Sequence, residues 1–308
     1  MKIVFFGTSE YAIPSLEALA KAGYDIAAVV TQPDKPAGRK QEPFPSPIKQ
    51  AALDLGLKVI QPVSLNSKFE IPDSDLFIVA SYGKIIPGAI LALPKFGTLN
   101  IHPSLLPKYR GPSPIQAAIL NGDAETGVTI IKLDEEMDHG NIIANIESRI
   151  ENLENYKSLH DRLAKLGAEL LIQILPKYIG GEIKPIPQDH AQATFTKIIT
   201  KDDARIDWSQ SAEEIDRMVG AYHVWPVAWT TFGGKRLKIF ESFLPLPEGR
   251  ERLRGGKVGE VELRDNTIIV HCGRGLLKIL SLQTEGGRVM TTRDFINGYT
   301  GLAGQFLV

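Results

Sequence analysis

Short apolar runs that alternate with helical stretches over the first hundred residues constrain this chain more than any other feature. Lys2 to Phe6, Ile26 to Val30, Leu57 to Ile60, Leu76 to Ala80 and Thr98 to Ile101 read as strands. Between them, Ile13 to Ala22, closed by Gly23, and the stretches Ser46 to Leu55 and Pro87 to Leu93 carry helical spacing. Strands separated by such crossovers pair in parallel. The expected fold is therefore α/β, a Rossmann-like, mostly parallel sheet with helices on both faces, whose ligands bind beyond the carboxyl ends of the strands. A dinucleotide is not expected there. Gly7 is followed by Thr8-Ser9-Glu10-Tyr11-Ala12, so the second and third glycines that let a pyrophosphate approach are missing.

The run Gly97-Thr98-Leu99-Asn100-Ile101-His102 reaches a strand end just before Pro103-Ser104. Residues two apart on a strand share a face, so Asn100 and His102 project together while Leu99 and Ile101 pack opposite. An amide donor beside an imidazole suits acyl-type transfer, which needs a preorganised donor for the oxyanion and a route for the proton lost by an amine. Asp138, in Asp138-His139-Gly140, is a carboxylate able to orient that imidazole and take up the proton. Read singly, His102 is a satisfied strand-end histidine and Asn100 a turn former. His139 with His102 raises a metal reading, but no third ligand stands at a recognisable spacing, and no metal is expected.

Further along, Ile142 to Ile150 reads as a strand and Ser158 to Tyr178 as a long amphipathic helix. Gly180-Gly181, Pro185, Pro187 and the polar Gln188-Asp189-His190-Ala191-Gln192 mark a connector. Three segments result: a first domain over 1–185, a linker over 186–203 and a second domain over 204–308. In the last, Ser211-Ala212-Glu213-Glu214 is a capping box that opens a helix to about Ala221. The remainder is strand-like at Ala228 to Phe232, Arg236 to Phe240 after a Gly233-Gly234 turn, Gly259 to Glu262, Thr267 to His271 and Gly275 to Leu282. That spacing suggests a small barrel.

With 308 residues, 43% hydrophobic and 23% charged, the chain is long enough for two sizeable cores. Cys272 is the only cysteine, which excludes an intrachain disulfide. No apolar run approaches a signal peptide or a membrane span, so a cytoplasmic location without membrane contact is expected. A net charge of -1 argues against a broadly basic nucleic-acid binder. The basic residues nevertheless cluster late in the chain, at Lys235-Arg236-Leu237-Lys238 and at Arg250, Arg252, Arg254 and Lys257, as a solvated face or a patch that tracks phosphates.

Asn100-Ile101-His102-Pro103-Ser104-Leu105-Leu106-Pro107 with the later Asp138-His139-Gly140 resembles the formyltransferase superfamily that uses 10-formyltetrahydrofolate. Gly7-Thr8, Thr31-Gln32-Pro33-Asp34-Lys35-Pro36-Ala37-Gly38-Arg39, Gln61-Pro62-Val63-Ser64-Leu65, Gly122 to Ile130 and Ala204-Arg205-Ile206-Asp207-Trp208 carry the resemblance along nearly the whole chain, to the branch whose acceptor is initiator methionyl-tRNA. The resemblance implies formyl transfer to the methionine amino group for translation initiation, with Asn100, His102 and Asp138 catalytic. It also implies a folate site built from Ser104, Leu105, Leu106 and Pro107, with Tyr82, Gly83 and Ile85 lining the same pocket. It implies that the Thr31 to Lys40 segment reaches the tRNA acceptor end, with Arg39 as its contact, and that the second domain is of OB type and binds tRNA through Lys235, Arg236 and Lys238. Neither a metal nor an obligate protein partner is implied. A formyltransferase acting on a small nucleotide would share Asn100, His102 and Asp138 but lack the match in the later domain, and an RNA-binding protein without activity would need no such trio.

Overall fold

The computed structural model describes residues 1–37, 42–65, 70–152, 154–245, 256–299 and 301–308, which form two compact units. The first unit gathers Met1–Pro114, Glu125–Arg149 and His160–Lys197. In chain order its elements include β1 (Lys2–Gly7), α1 (Ile13–Lys21), β2 (Asp25–Val30), β3 (Lys35–Ala37), β4 (Glu42–Phe44), α2 (Pro47–Asp54), β5 (Val59–Ile60), β6 (Leu76–Ala80), α3 (Gly88–Leu91) and β7 (Thr98–His102). There follow α4 (Pro114–Asn121), which lies in the second unit from Ile115 onward, and then β8 (Glu125–Lys132), β9 (Asn141–Arg149) and α5 (Tyr156–Ile179). The main sheet runs β5-β2-β1-β6-β7-β8-β9. β5, β2, β1, β6 and β7 are parallel, and β8 and β9 extend the sheet antiparallel. The chain leaves β1 toward β2 and later re-enters on its other side at β6, so the order reverses there, where such sheets open a crevice.

β6 and β7 are buried along their whole length, as strands covered on both faces must be. One covering layer comes from α3, whose Ile90 and Leu91 join Val4, Phe6, Phe77 and Val79 in a core cluster. Val79 pairs with Asn100, so this is also the face of Asn100 and His102. The opposite face meets α5, where a Cβ on Gly167 would lie 2.7 Å from Ile101 Cγ2. A helix can approach β7 this closely only where a side chain is missing, and the contact fixes the strand that carries both polar residues.

Neither β8 nor the β3–β4 ribbon is among the strands expected from the sequence. The short α3 replaces the longer helix expected over Pro87 to Leu93.

The second unit joins Ile115–Ala124 and Ile150–Leu159 to Ile198–Val308. It adds α6 (Ala212–Ala221), β10 (Trp229–Phe232), β11 (Lys235–Phe243), β12 (Val261–Arg264), β13 (Thr267–His271), β14 (Leu276–Thr284), β15 (Met290–Thr291) and α7 (Thr292–Gly298). The capping box forms as expected: Glu214 N donates to Ser211 Oγ at 3.2 Å and Ser211 N to Glu214 Oε2 at 2.9 Å. An antiparallel sheet in the order β10-β11-β14-β13-β12 wraps a core that includes Trp208, Leu237, Ile239, Val270, Ile279 and Phe295, consistent with an OB-like domain. The last residues join its two edges. Val308 exchanges backbone hydrogen bonds with Thr231 of β10, Gln305 accepts from Val261 of β12, and Leu307 N donates to Gly259. α7, capped by Thr291, was not expected.

Replacing Gly167 with valine should overpack the α5–β7 contact and destabilise the first unit by about 1–3 kcal/mol. A denaturant midpoint equal to that of the parent would show that the helix and strand separate freely.

Candidate active site

Asn100 and His102 end β7, buried and on one face. The chain then turns through Pro103-Ser104, with Ser104 N donating to the His102 carbonyl at 2.9 Å. Ser104 Oγ donates to the Lys108 carbonyl at 2.6 Å. Thr129 of β8, directly opposite His102, spans the same loop: its hydroxyl accepts from Leu106 N at 3.1 Å and donates to the Ser104 carbonyl at 2.7 Å.

Asp138 arrives from the loop between β8 and β9. Its Oδ1 lies 3.4 Å from Asn100 Nδ2 and 3.6 Å from His102 Nδ1. Its Oδ2 accepts from Gly111 N at 2.7 Å. The structure thus brings the three predicted residues together from two places in the chain, the end of β7 and the loop between β8 and β9. His102 Nε2 faces the Tyr109 carbonyl at 3.0 Å. A carbonyl only accepts, so Nε2 carries a proton, and Nδ1 faces Asp138.

The backbone around this cluster is unusual. Asp138 has φ +50° and Tyr109 φ +63°, in the left-handed region that side chains rarely occupy. Gly111 has φ +108°, and a Cβ there would meet the Thr196 carbonyl at 2.9 Å, so only glycine can present its N–H to Asp138.

Much of what holds this loop comes from residues expected to be linker. Arg110 N donates to the Thr194 carbonyl at 2.9 Å and Thr196 N to the Arg110 carbonyl at 2.8 Å. Tyr109 N donates to Thr194 Oγ1 at 2.8 Å, and Ser113 N to Thr196 Oγ1 at 3.1 Å. Residues 186–197 therefore belong to the first compact unit. Gln188 is 5% exposed and Arg110 4%. Sequence reasoning missed Gln188, Gly111 and Thr129 as parts of the site. The one available signal was a threonine inside the apolar Val128-Thr129-Ile130-Ile131 run.

Of the residues expected to line a ligand pocket, Leu105 and Pro107 are half-buried, whereas Ser104 and Leu106 are buried. The Tyr82 ring is core, edge-on to Phe6 at 5.5 Å. Its carbonyl accepts from Thr8 Oγ1 and Gln32 Nε2, each at 2.8 Å. With the 3.1 Å bond from Thr8 N to the Ser81 carbonyl, these contacts stitch the loops after β1 and β6 where the strand order reverses. Gly83 follows in a left-handed conformation, and Ile85 is 90% exposed.

Arg39 lies outside the described residues, as do Arg250, Arg252 and Arg254. The ribbon that flanks Arg39 is pinned at its base. Asp34 Oδ2 accepts from Lys49 Nζ at 2.6 Å, Asp34 Oδ1 from Gln61 Nε2 at 2.7 Å, and Thr31 Oγ1 lies 2.8 Å from Ser46 Oγ. The bonds from Lys49 and Gln61 hold the Asp34 carboxyl below its ordinary range.

In the second unit Leu237 and Ile239 point inward, and Lys235 and Arg236 are exposed. Lys238 pairs with Trp229, and the Arg236 guanidinium lies over the Trp229 ring at 4.0 Å, with that of Arg205 at 5.8 Å. Among the described residues no three His, Cys, Asp or Glu are grouped to hold a metal ion. His139 instead meets Asp134 at 2.7 Å and stacks on His190.

Residues 1–175 match the family model described as formyl transferase, and residues 198–300 match the formyl transferase C-terminal domain. The chain is 42% identical over 303 residues to a methionyl-tRNA formyltransferase of Marinobacter nauticus, covering 97% of this chain and 96% of the relative. It is 45% identical over 307 residues to one of Methylacidiphilum infernorum, covering 97% and 95%. Among solved structures, an N-formyltransferase from Helicobacter canadensis in complex with folinic acid and dTDP-3-aminofucose shares the fold, with a TM-score of 0.68 and 21% identity over 91% of this chain and 98% of that one. HypX from Aquifex aeolicus in complex with tetrahydrofolic acid has a TM-score of 0.64 and 20% identity over 100% of this chain and 50% of that one.

Because Asp34 is pinned as an anion, that restraint is complete above the ordinary carboxylate range and fades as pH falls through the lowered pKa. Followed by NMR, its carboxyl carbon should titrate below 3.8 in the parent and move upward in Lys49→Met. An unchanged midpoint would mean that Lys49 does not hold it.

Proposed function

The chain belongs to the methionyl-tRNA formyltransferase family, and we propose that it takes the formyl group from 10-formyltetrahydrofolate and passes it to initiator methionyl-tRNA at the cluster of Asn100, His102 and Asp138. Formyl transfer to the α-amino group of methionyl-tRNA is its function. The observation that carries the site assignment is the approach of one carboxylate to both an amide donor and an imidazole, at 3.4 Å and 3.6 Å.

The donor supplies a formyl carbon already activated on nitrogen, and the chain supplies orientation, charge stabilisation and a proton route. Asn100 Nδ2 donates to the oxygen that becomes negative when the amine attacks, a contact that is strongest in the transition state. His102, anchored through Nε2 to the Tyr109 carbonyl, keeps Nδ1 for the same oxygen or for the proton that must reach the departing folate nitrogen. Asp138 receives the amine proton, directly or through water. An α-amino group has a pKa of about 7.7 to 8.0, so a useful fraction is already neutral near pH 7 and a weak base suffices.

The half-buried apolar surfaces of Leu105 and Pro107, with the exposed Ile85 and the backbone at Gly83, suit the flat ring of a folate. Ser104, Leu106 and Tyr82 support that wall from behind, since their side chains are buried. The first unit, which takes in residues 186–197 of the expected linker, serves as the transfer domain, and residues 204–308 serve as the tRNA-binding domain. Arg39 contacts the acceptor end, and Lys235, Arg236 and Lys238 meet the tRNA backbone. Action in the cytoplasm, without membrane contact or an obligate protein partner, follows from a tRNA acceptor. A nucleotide-sugar acceptor is less well supported, since the relatives at 42–45% identity are tRNA enzymes over their full length, whereas the aminofucose-bound neighbour is 21% identical.

Offered 10-formyltetrahydrofolate with charged initiator tRNA, free methionine or glycinamide ribonucleotide, the protein should formylate the tRNA alone; a formylated small amine beside untouched tRNA would overturn the acceptor. His102→Ala and Asp138→Ala should each lower kcat by about 10²–10⁴-fold while folded, and near-parental turnover would refute the site. Arg39→Leu should lower kcat/KM for tRNA by about tenfold or more with KM for folate unchanged. Equal losses for both substrates would remove Arg39 from tRNA recognition.

A further inference from the structure

We infer that Gln188 is a positioning residue for formyl transfer, holding the Asp138 carboxylate against His102 and Asn100; the inference rests on the assignment of Asp138 made above. The groups on either side of Gln188 cannot exchange roles. The carbonyls of Asp138 and Gly140 only accept, and the Arg110 guanidinium only donates. Gln188 Nε2 donates to the two carbonyls at 2.9 Å and 2.8 Å, and its Oε1 accepts from Arg110 Nε at 3.2 Å and Nη2 at 2.8 Å. An amide of this reach supplies donor and acceptor at one end. A glutamate would set an oxygen against two carbonyl oxygens, asparagine is one methylene too short, and an aliphatic side chain would strand all three groups. With Gln188 buried, water is a poor substitute.

The same guanidinium grips the turn a second time. Arg110 Nη2 lies 2.8 Å from His190 Nδ1, and the His190 ring stacks on His139, the residue between the two clamped carbonyls, with centroids 4.0 Å apart and planes 5° from parallel. Since guanidinium cannot accept, His190 Nδ1 is the acceptor. Both holds on the turn of residues 138–140 therefore lead back to Arg110, whose neighbour Tyr109 supplies the carbonyl that fixes His102. One short segment sets the carboxylate and the imidazole together.

This arrangement bears on rate more than on folding. Asp138 is left-handed, and one of the two carbonyls bound by Gln188 is its own. Without the amide the turn relaxes and the carboxylate moves. A displacement of about 1 Å in a reacting group costs on the order of 10²-fold in rate.

The test is a cycle of Gln188→Met, Asp138→Asn and the double variant, with kcat and both KM values measured alongside thermal unfolding. Gln188→Met should lower kcat by about 10–100-fold with each KM within about twofold of the parent, and the same change should have no further effect in the Asp138→Asn background. Parental kcat in Gln188→Met, or an equal loss in both backgrounds, would overturn the inference. Gln188→Glu keeps the acceptor for Arg110 and loses the donor, so it covers the case in which the methionine variant fails to fold; it should lose at least as much kcat, and a parental value would again overturn the inference. If Asp138→Asn alone keeps parental turnover, the assignment of Asp138 fails first. If it slows while Gln188→Met does not, only the positioning role fails.

Discussion

Asp138 reaches both Asn100 and His102 because its backbone is left-handed at φ +50°. A right-handed residue at that place would send its side chain in another direction, and the two β7 groups would face no carboxylate. The conformation is one that the chain avoids unless surrounding bonds over-determine it. Those bonds come from Gly111 on the carboxylate and from Gln188 on the carbonyls to either side of His139. The site is held mainly through main-chain atoms, which places it under the control of loop geometry as much as of side-chain identity.

Arg110 explains why those loops close as they do. A guanidinium stays charged at any accessible pH, and burial strips its water, so every donor must find an acceptor. The described acceptors, Gln188 Oε1 and His190 Nδ1, both lie in the 186–197 strip. Closing that strip against residues 107–113 supplies acceptors to Nε and Nη2 of the cation, completes an irregular backbone ladder through Thr194 and Thr196, and delivers Gln188 to the turn.

Parts of this are legible in the amino-acid sequence alone. The alternation of strands and helices follows from local periodicity, and Asn100 and His102 share a face because residues two apart on a strand must. The capping box at Ser211 and Glu214 is equally local. What escaped was non-local. Residues 186–197 have the proline-rich, polar composition of a connector, and nothing nearby in sequence reveals that their polar groups are consumed by Arg110, some 80 residues earlier. β8 escaped for a related reason: Glu125 to Lys132 becomes a fully covered strand only through neighbours on both sides, β7 and β9. α7 is too short for its periodicity to register and depends on its Thr291 cap. The outward Arg236 and Lys238 were legible as charges, but the packing of Arg236 on Trp229, which narrows the guanidinium's freedom before any phosphate arrives, was not.

The strip from Gln305 to Val308 bonds to β12 on one side and β10 on the other. An antiparallel sheet with two bare borders offers rows of unpaired N–H and C=O groups to any passing strand, including one from a second molecule. Here a handful of residues at the far end of the chain cap both adhesive borders at once, so the solubility of the second unit is vested in a segment that also sets Leu307 into its apolar interior.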